Sequence, residues 1–239
     1  MVDKPLLLFD MDGTLVIIRK DGDDSEIKLD GSKAKDEMKD IAVSFGVPDG
    51  VVSRLDRMAQ IWNAARAYAE GDDFSEDEVR GLMEAINVPF QRHESEEHAL
   101  TTLLPGAVET LEKLRREGYT MGLVTNASRI GYRRLAHNKQ HRGFHRYFRH
   151  SITRDDCDYI KPEPEAINRI LSRFNESRFI YIGDSDHDAE AAKAAGGGFI
   201  LHNTRGYSEE EIRELEPDAV INSLIELPDI LSNIAERAG

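Results

Sequence analysis

Residues 6–16 read LLLFDMDGTLV. Four apolar residues in a row suit a strand covered on both faces. Such a run has little reason to end in two carboxylates, Asp10 and Asp12, unless something binds at the strand end. Gly13 follows, so the chain can turn sharply and pass close to a ligand. Other short runs repeat the pattern. MGLVT (121–125) leads into Asn126, so Thr125 and Asn126 stand at its end, and FIYIGD (179–184) ends in Asp184. GFIL (198–201) and DAVI (218–221) complete the set. Between the runs lie amphipathic stretches, with Val108, Leu111 and Leu114 on one face of 106–118, and Ile167, Ile170 and Leu171 on one face of 163–174. Strands alternating with helices predict an α/β fold, a Rossmann-like parallel sheet with helices on both faces. Ligands of such sheets bind beyond the carboxyl ends of the strands, so the polar strand ends are expected to share one crevice.

Residues 31–104 follow a helical period throughout. Leu55, Met58, Trp62, Ala65 and Ala69 form a stripe over 51–71, and Trp62 reads as core packing. Ser75 and Glu78 have capping-box spacing at the start of a helix over 75–86. The division predicted is a core of 1–16 and 105–239, a β-hairpin flap over 17–30 around an Asp-Gly turn, and an all-helical subdomain over 31–104. Arg54, Arg57 and Arg66 flank the Trp62 stripe and read as solvated helix arginines.

The chain of 239 residues carries a net charge of −14 and one cysteine, Cys157. An acidic surface repels nucleic acids and anionic membranes, a lone thiol makes no internal disulfide, and no apolar run is long enough for a membrane helix. A cytoplasmic protein is expected. One segment runs against the overall charge. Residues 129–154 hold eight of the 31 lysines and arginines, four of the eight histidines and no acid. A basic helix face balancing acidic neighbours accounts for it better than a polyanion site, and His137 and His141 lack a third ligand for a metal.

The acidic crevice has its own electrostatics. Asp10, Asp12, Asp184 and Asp188 would share it, and two unit charges about 4 Å apart repel by roughly 4 kcal/mol at an effective dielectric near 20. A cation is required, and carboxylate oxygens without thiols or clustered imidazoles select Mg²⁺ over zinc. Lys161, in IKPEPE, is the one lysine at a comparable junction.

DMDGT, VTN, KPEP and GDSDHD, in that order, resemble the four motifs of the haloacid dehalogenase-like hydrolases, and the helical insert is similar to that family's helical cap. The first motif departs from the DGTLxDS of many capped relatives, reading DGTLVII. The resemblance implies a phosphoglycolate phosphatase-like enzyme: a Mg²⁺-dependent phosphatase of a small phosphorylated metabolite, working through an aspartyl-phosphate. It makes Asp10 the nucleophile and Asp12 the general acid and base. Mg²⁺ would be held by Asp10, the Asp12 carbonyl and Asp184, with Asp188 in support. Thr125, Asn126 and Lys161 would bind the phosphoryl group. Asp12 favours a phosphatase over a dehalogenase. A phosphomutase would share these motifs, and an idle binding protein would not need them intact.

Overall fold

The computed structural model describes residues 4–18, 29–72 and 74–237. Its strands are β1 (Leu6–Phe9), β2 (Val16–Ile18), β3 (Thr101–Leu103), β4 (Met121–Val124), β5 (His150–Ile152), β6 (Phe179–Gly183), β7 (Gly198–His202) and β8 (Ala219–Ile221). The helices are α1 (Ser32–Ser44), α2 (Asp49–Val52), α3 (Met58–Gly71), α4 (Glu76–His98), α5 (Ala107–Arg116), α6 (Arg129–Ala136), α7 (Glu165–Phe174), α8 (Asp186–Ala194), α9 (Glu209–Leu215) and α10 (Leu227–Arg237). None of them is long and apolar enough to cross a membrane.

Six strands form one sheet in the order β5-β4-β1-β6-β7-β8, and every neighbouring pair is parallel. Alternate residues explain why these runs are apolar on both sides. Leu7, Phe9, Leu123, Ile180 and Ile182 pack with α5, α6 and α10 on one face, while Leu6, Leu8, Val124, Phe179 and Tyr181 pack with α7 and α8 on the other. This is the α/β fold read from the strand ends. The chain moves outward from β1 through β4 and β5, then returns to the far side of β1 with β6. That reversal opens a crevice at the carboxyl ends of β1 and β6.

Helices α1–α4 enclose a separate apolar centre of Met38, Ala42, Val52, Ile61, Trp62, Ala65, Leu82 and Ile86. Ile160, from the loop after β5, joins it. The continuous helix expected over 51–71 is broken. One helix ends at Val52 and the next starts at Met58, with Arg57 extended at the N-cap, although the apolar stripe carries across the break. The helix expected over 75–86 opens with the expected Ser75–Glu78 capping box but continues through Pro89 to His98. Proline forfeits one backbone bond there, offset by burial of Pro89, His93, Glu94 and His98.

The hairpin expected over 17–30 falls mostly on residues 19–28, outside the described residues. Ile17 and Ile18 pair antiparallel with Thr102 and Thr101, in a two-stranded ribbon where the chain leaves for the helical layer and returns. In the basic segment, Arg129 pairs with Asp156 and Arg142 with Glu109. His137 stacks on His145, and His141 is buried against the carbonyls of Leu135 and Thr101.

Candidate active site

β1 delivers Asp10 to the crevice. Its N–H still donates to the Ile182 carbonyl, at 2.9 Å, so strand pairing fixes the backbone up to the carboxylate. The chain then turns tightly, with Gly13 at φ +85°. A Cβ at Gly13 would lie 2.3 Å from Asp184 Oδ2, so both the turn and the carboxylate's approach require glycine. β6 delivers Asp184. Ser185 caps α8, its hydroxyl accepting from Asp188 N–H and donating to Asp188 Oδ2, and this draws Asp188 back under the strand end.

Oxygens of Asp10, Asp184 and Asp188 lie within 4.8 Å of one another, and all three side chains are buried. Lys161 bridges two of them. Its ammonium donates to Asp10 Oδ1 at 2.6 Å, Asp188 Oδ1 at 2.5 Å and the Tyr181 hydroxyl at 2.9 Å. Burial alone would favour neutral lysine, but Asp10 and Asp188 hold its pKa well above the ordinary value. Burial drives Asp10 well above the usual carboxylate range despite Lys161, and the Asp188 and Asp184 charges push the same way. Asp184 rises to about 6, mainly through burial and against the Arg205 charge. Burial would raise Asp188 too, yet Lys161 and the Ser185 hydrogen bonds bring it below the usual value.

Asp184 is held from two more directions. Thr14 Oγ1 donates to Oδ1 at 3.2 Å, and Arg205 Nε to Oδ2 at 2.5 Å. Three carboxylates against Lys161 and Arg205 leave a buried negative excess. An all-oxygen donor set with that excess suits a hard divalent cation. Both Asp188 oxygens accept protein donors, as both Asp184 oxygens do, so each carboxylate is fixed in place from two sides.

The remaining site candidates lie around this cluster. β4 runs beside β1 with Leu123 against Phe9, bringing Thr125 to the same edge. Its hydroxyl is buried and accepts from Ala127 N–H at 3.0 Å. The Asn126 amide faces the Lys161 main chain at both ends, donating to its carbonyl at 2.9 Å and accepting from its N–H at 3.0 Å. Asn126 therefore positions the lysine. The Asp12 side chain meets α4, its Oδ1 3.2 Å from His98 Nε2.

The helical layer is fastened to this edge. Asn63 pairs with both the N–H and the carbonyl of Ile160, and Trp62 Nε1 donates to the Asp158 carbonyl at 3.1 Å. Arg57 and Arg66, read as solvated, both reach core acids: Arg57 pairs with Asp186 at 2.6 Å and Arg66 with Asp158 at 2.6 Å. Asp12, Gly13, Glu97, Thr101 and Arg205 line a cavity of about 170 Å³.

The profile of the haloacid dehalogenase-like hydrolases matches residues 5–196. The chain belongs to this family. It is 33% identical over 242 residues to phosphoglycolate phosphatase 1 of Pseudomonas aeruginosa, covering 97% of this chain and 81% of that one. It is 30% identical over 230 residues to a phosphoglycolate phosphatase of Cereibacter sphaeroides, covering 96% and 99%. A hydrolase crystal structure from Pseudomonas syringae superposes with a TM-score of 0.59 at 20% identity, covering 97% of this chain and 99% of that one. A haloacid dehalogenase-like phosphatase from Thermococcus onnurineus gives 0.55 at 23%, covering 95% and 97%. These two likenesses support the fold.

Motif reading in this haloacid dehalogenase-like hydrolase missed four neighbours of the cluster: Tyr181, Arg205, Glu97 and His98. Arg205 had a usable signal, since it follows the carboxyl end of β7, where the strand-end rule looks for ligands. Tyr181 hides inside an apolar strand. Glu97 and His98 arrive from the far end of a helix whose length was underestimated.

Proposed function

We propose that this chain is a Mg²⁺-dependent phosphatase of small phosphate monoesters, with phosphoglycolate as the first substrate to test. The observation that carries it is the buried Lys161 bridge between Asp10 and Asp188 beside Asp184. Such a site neutralises a phosphoryl group next to a fixed carboxylate nucleophile. The phosphoglycolate phosphatases among the relatives support the choice of substrate.

Mg²⁺ would be held by Asp10, the Asp12 carbonyl and Asp184, with Asp188 behind, and would supply charge neutralisation to the phosphoryl oxygens. Asp10 attacks phosphorus. Asp12 gives a proton to the leaving oxygen, then takes one from the water that hydrolyses the aspartyl-phosphate. The Thr125 hydroxyl and neighbouring N–H groups hold the phosphoryl oxygens, while Lys161 offsets charge on the phosphoryl group and Asp10. Asn126 contributes by placing Lys161. Residues 31–104 act as a cap that excludes bulk water, over a core of 1–16 and 105–239. A cytoplasmic setting suits a metabolite enzyme with one cysteine.

The test is phosphate release from a panel of esters that includes phosphoglycolate, with Mg²⁺ and with EDTA. Activity lost in EDTA and restored by Mg²⁺ is expected. Metal-independent release, or none across the panel, refutes the reading. Asp10→Asn abolishes turnover with its circular dichroism spectrum unchanged, and Mg²⁺ raises the Tm of the wild type but not of Asp184→Asn.

A further inference from the structure

The last turn of α4 carries a histidine to the edge of the acidic cluster. His98 is buried, and its Nε2 lies 3.2 Å from Asp12 Oδ1. Its Nδ1 faces Glu94 Oε1 at 3.9 Å. Glu94 is itself immobilised. Its Oε1 accepts from Ser128 N–H at 2.8 Å and Ser128 Oγ at 2.9 Å, and its Oε2 accepts from Arg154 Nη2 at 2.9 Å. Arg154, fully buried, also donates to the Asn126 carbonyl at 2.6 Å. A Cβ at Gly131 would stand 1.9 Å from Glu94 Oε1 and 2.6 Å from His98 Cε1, so α4 docks where α6 offers no side chain. The Asp12 side chain, by contrast, is 45% exposed. A half-exposed carboxylate explores several rotamers unless a fixed partner selects one.

We infer that His98 is a positioning residue for the general acid: its Nε2–H donates to Asp12 Oδ1 and leaves Oδ2 to carry the transferable proton. This rests on the phosphatase reading above. In the first half-reaction an Asp10 oxygen bonds to phosphorus, and the bond to the leaving oxygen breaks with its electron pair going to that oxygen. The proton on Asp12 Oδ2 moves to the same oxygen. In the second, water bonds to phosphorus, its proton passes to Asp12, and the bond to Asp10 breaks to restore the carboxylate. His98 keeps its own proton throughout. Because His98 belongs to α4, the acid is aimed only while that helix end stays docked on Ser128 and Gly131.

Leaving-group dependence separates aiming a proton from general damage to the site. p-Nitrophenolate leaves without a proton, whereas an alkoxide needs one. His98→Ala is expected to lower kcat/KM about 100-fold on phosphoglycolate, or on the best aliphatic ester of the panel, and less than about 5-fold on p-nitrophenyl phosphate with Mg²⁺. His98→Gln, whose amide N–H reaches the same oxygen, should restore most of the aliphatic activity. If His98→Ala does not fold, His98→Asn, polar but too short to reach Asp12, takes its place. Equal losses on both esters, or a glutamine variant no better than the shorter one, overturn the inference. If Asp12→Asn shows the leaving-group dependence and His98→Ala does not, His98 loses its role while the phosphatase reading stands. Wild type inactive on every ester removes that reading, and the inference with it.

Discussion

Of the helix starts that share one local device, a reciprocal cap between a serine and an acid three residues on, two sit in opposite surroundings. At α4, Ser75 and Glu78 cap each other: the serine N–H and hydroxyl donate to Glu78 Oε2 at 2.8 and 2.6 Å, and Glu78 N–H donates back at 3.3 Å. At α8, Ser185 and Asp188 repeat this, at 3.1, 2.5 and 3.3 Å. The first pair is exposed and the second buried, with Asp188 only 1% accessible. The free oxygen of Asp188 then meets the Lys161 ammonium. A short motif thus starts a helix wherever it occurs, and only its place in the sheet decides whether it also carries charge into a reaction site.

The strongest way to break that contrast is Lys161→Met. Removing the buried cation leaves carboxylates unpaired, which costs about 3–5 kcal/mol of stability, and activity should fall by about 10³-fold. Urea unfolding and steady-state kinetics measure the two. Asp188→Ala and Glu78→Ala come next. The first strands one side of Lys161 and should lose about 100-fold in kcat. The second should leave kcat unchanged and lower the Tm slightly. Equal kinetic effects would erase the distinction between the two boxes. Ser185→Ala and Ser75→Ala should each cost about 1 kcal/mol as lost caps, but only the first should alter Mg²⁺ activation.

The smallest expected effect lies in the helical layer. Burial, then the Asp12 charge, lifts Glu97 to about 7. A carboxyl raised on folding favours the native state below its unfolded pKa and loses that benefit as pH rises through the folded value. Glu97→Gln should therefore stabilise by about 1 kcal/mol at pH 8, discounted for partial exposure. The gain should vanish by pH 4.5. Melting temperatures across that range decide it.

The sequence made the parallel sheet legible because its strands are buried on both faces, and an unbroken apolar run has few other uses. β5 escaped because HSI is three residues inside a basic stretch. The β2–β3 ribbon escaped because its partners lie more than eighty residues apart. Asp10, Asp184 and Lys161 stood out as polar residues ending apolar runs or beginning loops. Asn126 stood out as well, but its orientation towards the Lys161 backbone depends on a loop 35 residues later. His98 carries no periodic or motif signal, since its meaning comes from docking 86 residues away from Asp12.

Ile160 and Lys161 are consecutive, yet the first is packed among the cap helices and the second among the carboxylates. A single peptide link therefore ties the greasy middle of one layer to the charged middle of the other. Asn63 grips that link from above and Asn126 from below. A displacement of either layer therefore pulls on the same short loop that places the Lys161 ammonium between its two acids.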